Sequence, residues 1–184
     1  MGAGRHDPQS DLPIIASTDV SFVEGVAVDT NNGRRRMPLT DMGNFRKDFT
    51  ITSAQLLALN ATPQTIVAAP GANICLIPTG LLLFYDYNSA AYAGIAAGED
   101  LVVRYTNGSG AGTVGVEATG FLDQTSDQWR YAYPIAQGAT QPLNSFTPVA
   151  NAALVLHMST GEITTGNSPL YGRIWFRKVQ MILP

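Results

Sequence analysis

From residue 48 onward the chain is a succession of short apolar runs broken by proline and glycine, and the period of each run predicts its form. Residues 48–52 alternate polar and apolar positions as a strand. Ser53 then stands where a helix N-cap belongs, ahead of Ala54-Gln55-Leu56-Leu57-Ala58-Leu59, which supports one or two helical turns. Asn60-Ala61-Thr62-Pro63 stops that helix, residues 64–69 resume an extended path, and Pro70-Gly71 predicts a corner. Residues 73–77 and 81–87 are nearly all apolar, with Pro78-Thr79-Gly80 between them as a bulge or bend. A strand that is apolar on both faces is expected between two layers.

Downstream, residues 101–106 form a strand, 107–112 a glycine-rich hairpin connection, and 113–118 the returning strand. Trp129, Tyr131, Tyr133 and Ile135 share one face of a further strand, because alternate side chains point the same way. Within 151–158, Leu154, Leu156 and Met158 lie on one face, with Val155 and His157 on the other. The chain closes on an alternating strand over 170–183, where Ile174, Phe176 and Ile182 oppose Tyr171, Arg173, Trp175 and Arg177. The pattern gives about eight strands at a spacing of roughly ten residues, an all-β antiparallel sandwich, for which the jelly roll is the natural eight-strand version. The long connections 88–100 and 137–151 fit crossovers between sheets better than hairpins.

Composition divides the chain. Residues 1–50 hold 13 of its 25 charged residues, whereas the charged fraction overall is only 14%, against a usual quarter. The first 46 residues also carry little apolar material, so they read as an extended arm that orders on a neighbour, with the sandwich domain over 47–184. Residues 20–28 alternate weakly as a strand, closed by the turn-forming Asp29-Thr30-Asn31-Asn32-Gly33. Arg34-Arg35-Arg36 then follows as a solvated turn or a grip on an acidic partner surface. Three arginines and a net charge of −3 are a poor signature for nucleic acid or an anionic membrane. No apolar run reaches membrane-helix length, and the first residues lack a signal-peptide core, so the expectation is a chain that crosses no membrane by its own signal.

Candidate chemistry is sparse. The lone Cys75 reads as a buried thiol, and no Cys/His spacing suits zinc. The two histidines, His6 and His157, offer no serine or cysteine nucleophile a base held by a third group. The pairs Asp123/Asp127 and Glu99/Asp100 are the close carboxylates, both expected in solvated loops. No catalytic residue, metal or cofactor is expected, and the protein is read as no enzyme. The aromatics, Tyr85, Tyr87, Tyr92, Trp129, Tyr131 and Tyr133, fit either a core, a subunit seam or a sugar-stacking platform.

The run Ile51-Thr52-Ser53-Ala54-Gln55-Leu56-Leu57-Ala58-Leu59-Asn60-Ala61-Thr62-Pro63, followed by Val67-Ala68-Ala69-Pro70-Gly71, resembles structural proteins of tailed bacteriophages. With Tyr92, the strand at 101–106, Asn151-Ala152-Ala153-Leu154 and Gly161-Glu162-Ile163-Thr164-Thr165-Gly166-Asn167-Ser168, the order is similar to that of jelly-roll cement, or decoration, proteins across residues 49–180. The resemblance implies a homotrimer on the outside of a capsid, made in the host cytoplasm, that braces junctions between copies of the major capsid protein. Arg34, Arg35, Arg36, Phe45 and Arg46 are then the expected partner contacts of the arm. Tyr92, Trp129, Tyr131 and Tyr133 are the expected subunit-interface or glycan-binding aromatics. The alternative reading is an attachment module of a head or tail fibre that recognises a host glycan.

Overall fold

A computed structural model describes residues 22–28, 34–38, 44–134 and 147–181, and divides the chain into two compact units, Met1–Met42 and Gly43–Pro184. In the first unit, β1 (Phe22–Val28) and β2 (Arg34–Pro38) pair antiparallel, with Phe22 opposite Pro38 and Val28 opposite Arg34. The expected arm therefore contains an antiparallel pair of strands, and Arg34, Arg35 and Arg36 lie in a strand rather than a turn. His6, Ile135, Ile182 and the turn expected at Asp29-Thr30-Asn31-Asn32-Gly33 lie outside the described residues.

The second unit begins earlier than expected. Phe45 and Arg46, assigned from the sequence to the arm, instead open β3 (Phe45–Ile51), because Phe45 has an apolar ring to bury and stacks on Phe176 at 5.7 Å. After β3 come α1 (Ser53–Leu57), β4 (Gln64–Val67), β5 (Ile74–Tyr85), β6 (Asp100–Tyr105), β7 (Gly112–Glu117), β8 (Gln128–Ala132), β9 (Leu154–Met158) and β10 (Leu170–Gln180). One antiparallel sheet has the order β3-β10-β5-β8, the other β4-β9-β6-β7. First pairs with last, second with second-last, and so inward to the β6–β7 hairpin. That nesting is a jelly roll, the fold expected from strand count and spacing.

Local sequence accounts for the joints. Thr52, one residue before the expected Ser53, caps α1: its hydroxyl accepts from Gln55 N at 3.3 Å and its own N–H donates to Gln55 Oε1 at 2.9 Å. The spacing Thr-x-x-Gln is a capping box, which satisfies two helix-end groups reciprocally. β5 runs unbroken through Pro78-Thr79-Gly80. Trp175 lies opposite Gly80 and Phe176 opposite Pro78, so Thr79 is the extra residue of a bulge.

The core fills the space between the sheets from alternate positions. Leu81, Leu83 and Tyr85 from β5 and Leu170, Ile174 and Phe176 from β10 meet Leu101, Val103 and Tyr105 from β6 and Leu154, Leu156 and Met158 from β9. The Tyr105 hydroxyl donates to the Leu76 carbonyl, tying the two sheets through a polar bond inside an apolar layer. Cys75 is buried in β5, where desolvation raises its thiol pKa, as its reading as a structural residue requires. Gly172 lets the Phe49 ring lie on the β10 backbone; a Cβ there would stand 2.1 Å from Phe49 Cζ.

His157 lies on the far side of the second sheet, 7% exposed, where Arg104 Nε donates to its Nδ1 at 3.2 Å. Burial and the Arg104 charge lower the imidazole pKa, against a smaller opposite pull from the Asn60 backbone and the Glu162 carboxylate.

Two outcomes follow from this packing. Gly172→Ala is expected to lose about 1–3 kcal/mol in urea unfolding, because the Phe49 ring has to move. As for pH, the unfolded His157 takes up a proton near its ordinary pKa while the folded one resists it. Stability is thus full above the ordinary pKa and falls as the pH drops below it, levelling off below the folded pKa. His157→Gln flattens that part of the stability profile between pH 7 and 5, read by thermal unfolding across buffers.

Candidate binding face

Strand alternation and register together build the outer face of the β3-β10-β5-β8 sheet. Trp129 lies opposite Phe84, Phe84 opposite Tyr171, and Tyr171 opposite Thr50, which makes one rung of side chains across four strands. The next rung runs Tyr131, Leu82, Arg173, Asp48, and the third joins Gly80, Trp175 and Arg46. Both sheets are antiparallel, so residues two apart along a strand land on successive rungs of the same face.

Each rung has its own chemistry. In the first, Phe84 and Trp129 stack with centroids 4.3 Å apart and planes 25° apart, and Tyr171 follows 6.2 Å from Phe84 at the same tilt. In the second, Arg173 grips Asp48 with two bonds, Nε to Oδ1 at 2.5 Å and Nη2 to Oδ2 at 2.9 Å. The Arg173 hydrogen bond and charge hold the Asp48 carboxyl below its usual pKa and raise that of the guanidinium, so both are charged at neutral pH. In the third, the absence of a side chain at Gly80 admits the Tyr131 hydroxyl, 2.8 Å from where a Cβ would sit. Tyr131 meets Trp175 edge-on at 5.9 Å and Tyr133 edge-on at 4.7 Å, forming a cluster where β8 ends.

These rings are not core. Trp129 is 59% exposed, Tyr131 50%, Tyr133 62% and Tyr171 42%. Between the first two rungs lies an open slot of about 550 Å³, lined by Asp48, Phe49, Thr50, Leu82, Phe84, Trp129, Tyr171, Gly172 and Arg173. The face therefore offers two neighbouring surfaces: a slot with an aromatic wall and a polar pair, and the Tyr131–Tyr133–Trp175 cluster beside it.

The expected aromatics separate sharply. Trp129, Tyr131 and Tyr133 come together on this face, whereas Tyr92 is a core residue, 2% exposed, whose hydroxyl donates to the Ser168 carbonyl at 2.6 Å. Tyr92 belongs to the inner layer because the 88–100 crossover folds it against Tyr85, 6.1 Å away. Burial raises its phenol pKa steeply. Phe45 also packs on the core edge, with Lys178 Nζ 5.1 Å above its ring. Sequence reasoning missed Phe84, Tyr171, Trp175 and the Asp48–Arg173 pair as members of the face. The alternation of 170–177 put Tyr171, Arg173 and Trp175 on one side, yet nothing local said that β5 and β8 lie alongside.

The close carboxylates do not converge. Glu99 is buried and accepts from Ala96 N and Gly161 N, each at 2.9 Å, which pins two loops together, while Asp127 accepts from Tyr87 N at 3.0 Å and Asp123 from Gln124. Among the described residues no three acidic, histidine or cysteine side chains form a metal-sized group. No family model matches the chain, and no curated protein or solved structure matches it.

Truncating Trp129 is expected to cost about 0.5–1.5 kcal/mol, the scale of one aromatic pair. Leu83→Ala in the core is expected to cost about 2–5 kcal/mol. Urea unfolding of the two variants separates a solvent-facing ring from a side chain of the packed layer.

Proposed function

We propose that this protein is a non-enzymatic structural protein of a tailed-phage virion, a cement or decoration protein on the outside of the capsid. In that reading its partners are the major capsid protein and copies of itself, as a homotrimer, with neither nucleic acid nor membrane involved. The observation that carries the reading is the exposed pair Tyr131 and Tyr133, which packs with the half-buried Trp175 where a sheet face meets the edge strand β8. Large apolar side chains grouped in water favour a partner that covers them, and tyrosine and tryptophan give the most binding energy when they are covered.

Two further features support it. A chain with only 14% charged residues, about half of them in residues 1–50, strands few charges when a large face of the sandwich is buried against a neighbour. The resemblance of the core and turn residues over 49–180 to jelly-roll cement proteins is what suggests this kind of assembly, and the Arg34-Arg35-Arg36 run suits an acidic capsid surface. A protein that binds the assembled shell and not its free subunits stabilises the shell by mass action.

Light scattering and cosedimentation test the proposal. The full chain is expected to have a trimer mass and to bind saturably to heads assembled without it. Tyr131→Ala/Tyr133→Ala is expected to shift the mass to monomer while the unfolding midpoint stays near that of the parent. A monomer that does not sediment with the heads overturns the reading.

A further inference from the structure

The slot next to the tyrosine cluster has a different chemistry from the cluster itself. Its lining joins the Trp129, Phe84 and Tyr171 rings to the Thr50 side chain and the Asp48–Arg173 pair, and its volume is about 550 Å³. Small-molecule sites share this character: a concave, mostly apolar surface of roughly 300–1,000 Å³ with a few convergent polar groups. We propose that the slot is a saccharide subsite. One pyranose ring of a glycan lays its C–H face on the aromatic wall and directs its hydroxyls to Asp48, Arg173 and Thr50.

Three features select a sugar. Arg173 commits Nε and Nη2 to Asp48, and the Nη1 hydrogens and the remaining carboxylate lone pairs lie outside that pair. Adjacent donors and acceptors of this kind suit vicinal hydroxyls, each of which both gives and accepts a hydrogen bond. Charge argues against an anion, because Asp48 already neutralises Arg173 and a phosphate would face a carboxylate at the same end of the slot. An aliphatic ligand would cover the polar pair without replacing its water, which costs free energy that a hydroxylated ring avoids.

The slot and the assembly cluster are separable, since neither Tyr131 nor Tyr133 lines the slot. The test titrates the full-length protein with methyl pyranosides of glucose, galactose, mannose and N-acetylglucosamine, using saturation-transfer NMR and the Trp129 indole signal, and screens an immobilised glycan array. At least one glycoside is expected to bind in the millimolar range. Trp129→Ala and Asp48→Asn should each weaken it at least about tenfold, while Tyr131→Ala/Tyr133→Ala leaves it unchanged. Asp48→Asn preserves shape at an exposed site, so its effect is readable if the alanine variant unfolds. A flat array with no glycoside binding overturns the proposal. So does sugar binding that both variants retain, or a preference for a nucleoside monophosphate or a proline-rich peptide over every glycoside. Head binding is measured separately, so failure of either proposal leaves the other standing.

Discussion

The antiparallel pairing of β5 with β10 holds the other strands in place. These are the two longest described strands, paired from Leu170 opposite Tyr85 to Gln180 opposite Ile74 with one shift of register at the Thr79 bulge. β3 docks on the far side of β10, and β8 on the far side of β5. The pairing closes a long stretch of chain, and closing it costs entropy that only the apolar layer beneath can offset. That layer is supplied by the same two strands, through Leu81, Leu83, Leu170 and Ile174. That contact therefore sets the order of the first sheet, one wall of the core and the width of the outer face.

The outer face inherits its rigidity from that contact. Asp48, Arg173, Leu82 and Tyr131 come from four strands far apart in sequence, and the ladder holds them in a single row. A site on paired strands needs little ordering when a ligand or partner arrives, so more of its interaction free energy remains for binding. The bulge at Thr79 contributes by placing Gly80 under Tyr131, which turns that ring toward Trp175. Polar groups away from this face serve the fold: Glu99 ties two loops, and His157 is held by Arg104 behind the second sheet.

Much of the architecture was legible in the residues. Period-two alternation and continuous apolar runs located the strands of the sandwich, glycine and proline marked most turns, and the sparse charge fitted two layers packed face to face. These are local properties, since neighbouring side chains on a strand must alternate whatever the strand later pairs with. One misreading was local and another was not. Thr52 rather than Ser53 caps the helix, because Gln55 three residues on completes a capping box, and Phe45 joins the sheet because Phe176 gives its ring a place to stack.

The composition of the face was not local. Tyr92 and Tyr131 were both expected as contact aromatics, yet one is sealed inside and the other stands in water. Their fates depend on which strand lies across from them and on which side a crossover passes. Side-chain period is a property of one strand and can be read along the chain. Register and sheet order are set by the summed burial of strands that meet only in the folded molecule, and they brought Trp129, Phe84, Tyr171 and the Asp48–Arg173 pair onto one surface.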